Sequence, residues 1–195
     1  MNELAKNAAK QGLEKSSSKL SKLLSRFEQG QQVILVLDTS GSMSSPADTL
    51  GERRIDALRG VVEELRLKKI SFKQLIFNST CMWSDIITEP GGGTNLASAL
   101  TFCKQANAKH VIIVSDGQPD SREAALIAAR NLGCKIDVFF VGPKYDTSAQ
   151  DFMKELAALS GGIADAVSFK ELQAKVAGML TAGENSEVEQ KPIAL

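Results

Sequence analysis

Several residue types that mark particular protein classes are scarce in this chain of 195 residues. It contains one histidine, one tryptophan and one tyrosine, and aromatic side chains make up 5% of it. Lysine and arginine together number 23, as do aspartate and glutamate, so the formal net charge is zero. Without a basic excess or a set of stacking side chains, the composition argues against a nucleic-acid-binding protein.

Long apolar runs and paired cysteines are also lacking. Met1 to Lys10 contains no apolar core of a signal peptide, and no run approaches the roughly 20 apolar residues that a membrane span needs. The cysteines are odd in number and widely spaced, which favours reduced core residues over a disulfide framework; they are Cys81, Cys103 and Cys134. We expect a cytoplasmic protein with one domain and tails.

The two ends of the chain differ in composition from its middle. Apolar residues in the first 27 positions recur at broadly helical spacings between lysines, which predicts an amphipathic helical extension over residues 1–30. This extension could pack on its own domain or act as a partner-binding or self-associating arm. A membrane-surface or nucleic-acid arm is disfavoured because the apolar stripe is thin. Residues 183–195 are polar and rich in glutamate, which predicts a flexible tail.

A polar loop directly follows the most apolar segment of the chain. The run from Val33 to Leu37 predicts a strand buried on both faces. Asp38, Ser40 and Ser42 then lie at its carboxyl end, where open α/β sheets bind ligands. A carboxylate and two hydroxyls in a tight loop are oxygen ligands of the kind that hard cations prefer.

Strand and helix patterns alternate along the rest of the chain. Strands are predicted over residues 71–77, 81–86, 111–115, 136–141 and 164–167, and helices over 55–69, 96–103, 121–132, 148–159 and 169–181. The three-residue link between the strands 71–77 and 81–86 permits an antiparallel hairpin and excludes a parallel crossover. The remaining alternation predicts a parallel sheet covered by helices on both faces.

Two further loops supply oxygen atoms at the same predicted edge. Asp116 follows the apolar strand 111–115, and Thr94 follows a break made by Pro90 and three glycines. If the strands are parallel, both loops open beside Ser42. Each residue also has a structural alternative, because Thr94 and Ser42 could cap the helices that follow them and Asp116 could cap its own turn.

Three motifs together resemble the metal-ion-dependent adhesion site of the von Willebrand factor A family. They are Asp38-Thr39-Ser40-Gly41-Ser42, Gly92-Gly93-Thr94 and Ser115-Asp116-Gly117. The resemblance covers about residues 32–180 and identifies a domain at residues 31–182. It implies a Rossmann-like, doubly wound sheet of six strands, mainly parallel, with one short antiparallel edge strand and helices on both faces.

The same resemblance implies which residues hold a metal ion. Ser40, Ser42 and Thr94 would bind a divalent cation through their hydroxyls, and Asp38 and Asp116 would bind it directly or through water. The expected ion is Mg²⁺, with Mn²⁺ as the alternative. Because neutral hydroxyls donate little charge, an ion held in this way remains electrophilic and keeps exchangeable waters.

Family resemblance also implies a binding function. An aspartate or glutamate of a partner protein, or of a neighbouring chain, would complete the coordination of the metal. A stand-alone intracellular member, of prokaryotic or phage origin, would work in a multiprotein complex, for example beside an AAA+ ATPase. Two alternatives remain open: a structural or self-assembling protein that uses the N-terminal arm, and a metal-dependent hydrolase.

Catalysis is the disfavoured interpretation. A serine nucleophile needs a general base, and the only histidine, His110, begins the strand that ends before Asp116, roughly 20 Å away at about 3.3 Å per residue. No glycine-rich nucleotide-binding motif is present. We therefore predict a binding protein and not an enzyme. Trp83, on the predicted edge strand, could anchor a partner, but the role of an aromatic that covers the core is favoured. Asp120 and Glu123 are predicted to be helix N-terminal charges.

Overall fold

Strands and helices alternate along the part of the chain that the computed structural model describes, residues 33–47 and 51–185. The strands are β1 (Val33–Asp38), β2 (Lys73–Phe77), β3 (Cys81–Trp83), β4 (His110–Ser115), β5 (Lys135–Phe140) and β6 (Ala164–Ala166). The helices are α1 (Arg54–Leu67), α2 (Leu96–Gln105), α3 (Arg122–Leu132), α4 (Thr147–Ala158) and α5 (Phe169–Asn185). A short 3₁₀ turn, Gly41–Ser44, follows β1.

The six strands form one sheet in the order β3-β2-β1-β4-β5-β6. All neighbouring pairs are parallel except β2 and β3, which form the antiparallel hairpin that their short link predicts. The sheet begins with β1, extends outward through β2 and β3, and then continues on the other side of β1 with β4. The carboxyl ends of β1 and β4 therefore flank the topological switch point, where sheets of this kind bind ligands.

Helices cover both faces of the sheet, as predicted. Alternate residues of β1 face opposite sides, so Ile34 and Val36 join an apolar cluster with α2, α3 and α4. Leu35 and Leu37 join a second cluster with α1 and α5. Because both faces of β1 are packed, the strand holds the start of the following loop, at Asp38, in a fixed position.

The edge strand β3 is shorter than the predicted strand 81–86. After Trp83 the backbone turns, and the Ser84 hydroxyl donates to the carbonyl of Ile86 and accepts from its amide. These local bonds replace strand pairing. Met82 and Trp83 are 54% and 43% exposed, so Trp83 is covered only in part.

At the other end of the chain, α5 continues to Asn185, four residues beyond the predicted helix end. The predicted extension at residues 1–30 and the rest of the predicted tail lie outside the described residues. In residues 33–47 and 51–185, every helix is too short or too polar to cross a membrane.

Candidate metal centre

Asp38 is a fully buried carboxylate at the carboxyl end of β1. Its Oδ1 accepts the Ser40 amide at 2.8 Å, and its Oδ2 accepts the Ser115 hydroxyl at 2.6 Å. Burial raises the pKa of Asp38 to about 6, against the lowering effect of those hydrogen bonds. Ser115, at the end of β4, thus orients Asp38 across the switch point.

A chain of hydrogen bonds connects the first loop to Asp116. Ser42 Oγ donates to Asp116 Oδ1 at 2.7 Å, and Ser40 Oγ lies 3.0 Å from Ser42 Oγ. Because a serine hydroxyl has one proton and that of Ser42 is used on Asp116, Ser40 must donate to Ser42. Oxygen atoms of Ser40, Ser42 and Asp116 therefore converge, and the capping alternative for Ser42 is wrong.

Asp116 is itself held by groups from two other elements. Arg54, the first residue of α1, donates from Nη1 to Asp116 Oδ2 at 2.6 Å. Gly142, after β5, lies so close to Asp116 that an added Cβ would be 2.2 Å from the Asp116 carbonyl oxygen. Any side chain at position 142 would displace the loop that carries Asp116.

The glycine-rich segment is tied to the first loop through its backbone. The Gly41 amide donates to the Gly92 carbonyl at 3.1 Å, and the Gly91 amide donates to the Thr39 carbonyl at 3.0 Å. Thr39 is anchored in turn, because its amide and hydroxyl both donate to the Phe77 carbonyl at the end of β2. The loops after β1 and before α2 therefore form one unit.

Thr94 is oriented by Asp120. The Thr94 amide donates to Asp120 Oδ1 at 2.8 Å, and the Asp120 amide donates to the Thr94 carbonyl at 3.0 Å. Gly93 makes this possible, since a Cβ there would lie 2.7 Å from Asp120 Oδ2. Asp120 is therefore more than the helix charge that the sequence suggested.

The capping alternative for Thr94 is also wrong. Asn95 is the N-cap of α2, and its side chain accepts the Ser98 amide. Among the described residues, Thr94 Oγ1 makes no hydrogen bond. The hydroxyl that the prediction assigns to a metal thus has no competing role in the helix.

A match to a family profile identifies the family of this chain. The profile of the von Willebrand factor type A domain matches residues 31–83 and 78–166. The chain belongs to this family. No curated protein matches this von Willebrand A domain in sequence.

Solved structures agree on the fold of the von Willebrand A domain. It is similar to an aerotolerance-related membrane protein from Bacteroides fragilis, with 16% identity and a TM-score of 0.59 over 77% of this chain and 98% of that one. BatB from Bacteroides thetaiotaomicron is 15% identical, with a TM-score of 0.57 over 78% of this chain and 98% of that one. A von Willebrand factor type A protein from Catenulispora acidiphila is 12% identical, with a TM-score of 0.63 over 77% of this chain and 42% of that one. At these identities the likeness concerns the fold alone.

The donor set of this von Willebrand A domain suits a hard divalent cation. In residues 33–47 and 51–185, no three His, Cys, Asp or Glu side chains are placed to hold a metal together, so a cation here would depend on hydroxyls. Asp38 has no ion-pair partner in the same residues, although it is buried, and a divalent cation would supply the missing charge. The role of the five predicted residues as ligands stays a prediction.

Sequence reasoning named Ser115 in a motif and Asp120 as a helix charge, but it assigned neither of them to orient a ligand, and it did not single out Arg54. Ser115, Arg54 and Asp120 act across 77, 62 and 26 positions of the chain, so no local spacing reveals these contacts. One signal was available for Arg54, because a cation is electrostatically unfavourable in the first turn of a helix.

His110 lies at the amino end of β4, away from the serines of the candidate site. Its Nε2 is 2.7 Å from Asp137 Oδ2, and Lys135 donates to the same oxygen at 2.8 Å. Burial alone would raise the pKa of Asp137, but hydrogen bonds from Lys135, the Ile163 amide and His110 hold it below its ordinary value. His110 thus belongs to a structural network at the opposite edge.

Proposed function

We propose that this domain is a divalent-metal-dependent protein-binding module that captures a carboxylate of a partner protein. Asp38, Ser40, Ser42, Thr94 and Asp116 would hold Mg²⁺, or Mn²⁺ in its place. The observation that carries the proposal is the convergence of Ser40, Ser42 and Asp116 oxygens beside the buried Asp38 at the switch point. When bound, the ion would supply an electrophilic centre that an aspartate or glutamate can approach.

The chain's own residues prepare this site before any ligand arrives. Ser115 and the Ser40 amide fix both oxygens of Asp38. The backbone of Gly41 ties the serine loop to the glycine-rich loop, and Asp120 fixes the backbone of Thr94. Such preorganisation lowers the cost of ordering the site when it binds.

Binding without turnover is part of the proposal. The hydroxyls of Ser40 and Ser42 form hydrogen bonds to each other and to a carboxylate, whereas His110 is engaged with Asp137 at the other edge. A serine nucleophile activated by histidine therefore has no support among the described residues.

The cellular setting is proposed from the family resemblance. We place the domain in the cytoplasm within a multiprotein complex, such as one with an AAA+ ATPase. The three cysteines are free, and Cys103 is buried, which agrees with a reducing compartment.

A peptide selection tests the proposed function. Random peptides displayed on phage are bound to the immobilised protein in Mg²⁺ and eluted with EDTA. We expect the eluted peptides to contain aspartate or glutamate and to lose binding when that residue is replaced by its amide. Eluted peptides that keep their binding after every acidic residue is replaced by its amide would contradict the proposal.

Two matched variants localise the binding. Thr94→Ala removes the one hydroxyl contributed by the glycine-rich loop and should abolish EDTA-sensitive capture. Thr101→Ala is the control, since Thr101 is exposed and its hydroxyl donates to the Ala97 carbonyl within α2. Equal loss of capture in both variants would point away from the metal site.

A further inference from the structure

Arg54 places a fixed positive charge in the candidate metal site. Its Nη1 is 2.6 Å from Asp116 Oδ2, and the two side chains are 12% and 0% exposed. The same Nη1 lies 3.4 Å from the Ser42 carbonyl. A charge pair this well buried is screened far less than a surface pair.

The position of Arg54 in its own helix is unfavourable. It is the first residue of α1, where the helix dipole favours negative charge. The acidic residue of that first turn, Asp56, is bound by Arg53 and Arg59. Compensation for Arg54 comes from Asp116, 62 positions later, and local conflicts of this kind concentrate at functional sites.

The effect of Arg54 on the site follows from counting charges. The ionised carboxylates of Asp38 and Asp116 contribute two negative charges, and the positive charge of Arg54 reduces the net charge of the site to −1. A divalent cation is therefore attracted less strongly when Arg54 is present. Once that cation is bound, the site has a net charge of +1 with Arg54 and zero without it, so Arg54 favours the arrival of a carboxylate.

Hydrogen bonding points in the same direction. One carboxylate oxygen of Asp116 accepts from Ser42 and the other accepts from Arg54, so its negative charge is already partly compensated. The guanidinium carries five N–H donors, and its hydrogen bonds within residues 33–47 and 51–185 use Nη1 alone. Among those residues the donors on Nε and Nη2 have no acceptor, and a carboxylate is the acceptor that suits them best.

Arg54 also lines a cleft of about 580 Å³ beside the site. Gly142 forms part of the wall and packs directly on the Asp116 backbone, so the cleft and the metal site share a boundary. The charged residues that line it are Glu52, Arg54, Lys144, Lys170 and Glu171. Because Arg54 is paired with Asp116, the two lysines and two glutamates balance the rest of the cleft, and Arg54 is the charged residue that the cleft shares with the metal site.

We propose that Arg54 weakens metal binding and strengthens carboxylate capture at the same site. This inference rests on the proposed function. It assigns Arg54 as the residue that sets the balance between the two affinities, through its charge.

Arg54→Gln and Arg54→Met test this assignment, because both remove the charge. Glutamine keeps a donor for Asp116, and methionine keeps an unbranched stem. Arg53→Gln is the matched control, since Arg53 is one position away and binds Asp56 and Glu89 at the surface instead. Arg54→Lys retains the charge at position 54.

The probes are Mn²⁺ alone, followed by electron paramagnetic resonance, and acetate added to the Mn²⁺-loaded protein. Both uncharged variants should bind Mn²⁺ about tenfold more tightly than wild type, which is the lower range of a charge-assisted hydrogen bond. Acetate binding should weaken about threefold in the same variants. Arg53→Gln should match wild type in both measurements, and Arg54→Lys should match it in Mn²⁺ affinity; melting in EDTA verifies that each variant is folded.

Two results would overturn the inference in different ways. If wild type binds Mn²⁺ and Arg54→Gln and Arg54→Met bind it equally or more weakly, the role of Arg54 is overturned while the metal site stands. Absence of Mn²⁺ binding in every variant and in wild type would overturn the proposed metal site and this inference with it. Binding only in the uncharged variants would support the antagonism between Arg54 and the metal.

Discussion

Replacing Asp38 with asparagine is expected to stabilise the metal-free protein at neutral pH. Asp38 is fully buried, and its pKa is raised from 3.8 to about 6. Asparagine can keep both contacts, accepting the Ser40 amide and donating to the Ser115 oxygen. The substitution therefore removes a buried charge with little change in packing.

The sign and size of the effect follow from the pKa difference. A carboxyl whose pKa is higher in the folded state favours folding at low pH, and that contribution is lost as the pH rises through the folded-state value. Raising the pKa from 3.8 to about 6 corresponds to about 3 kcal/mol. The free energy of unfolding of Asp38→Asn, relative to that of wild type, should thus rise by about 3 kcal/mol between about pH 4 and pH 7.

Urea denaturation in EDTA, followed by circular dichroism at several pH values, measures this gain. Asp137→Asn is the matched control, because Asp137 is the other fully buried carboxylate of the sheet and its pKa is lowered. Its stabilising contribution is present above the unfolded-state pKa and is lost as the pH falls, so Asp137→Asn should be most destabilising at neutral pH. Parallel pH profiles for Asp38→Asn and wild type would show that folding does not raise the pKa of Asp38.

Two further predictions separate the metal loop from the helix cap beside it. Asn95→Ala should lower the free energy of unfolding by about 1 kcal/mol through loss of the α2 cap, whereas Thr94→Ala should change stability little and remove Mg²⁺ binding. Urea denaturation measures the stability and calorimetry the Mg²⁺ binding. The reversed pattern would contradict the assignment of the two residues. Gly93→Ala should displace the Asp120 carboxylate, lower the free energy of unfolding by about 1 kcal/mol and weaken Mg²⁺ binding in calorimetry. Gly91→Ala is the control and should retain Mg²⁺ binding, because nothing lies within 4 Å of an added Cβ. Equal Mg²⁺ affinities of the two variants would contradict the role of Asp120.

Sequence patterns predicted the fold well because its signals are local. The apolar run of β1 is packed on both faces, and the short link after β2 forms a hairpin. The order of the strands is a different matter, since the pairing of β1 with β4 joins segments far apart in the chain. The excess length predicted for β3 reflects competition from the Ser84 hydroxyl, which periodicity does not register.

The candidate site was predicted as a set of residue types and not as a geometry. Asp38, Ser40, Ser42 and Asp116 are joined by hydrogen bonds, and among the described residues Thr94 is linked to them through the backbone of the glycine-rich loop. The residues that orient the set come from distant elements. Their contribution depends on tertiary contacts, which one sequence without its fold does not reveal.

Titration of the wild-type protein and Asp38→Asn with Mn²⁺, followed by electron paramagnetic resonance, decides whether this edge of the sheet binds a metal ion. We expect wild type to bind one ion per chain, Mg²⁺ to displace it, and Asp38→Asn to bind none while remaining folded. Equal binding by both proteins, or no binding by the folded wild type, would contradict a metal site at the carboxyl end of β1.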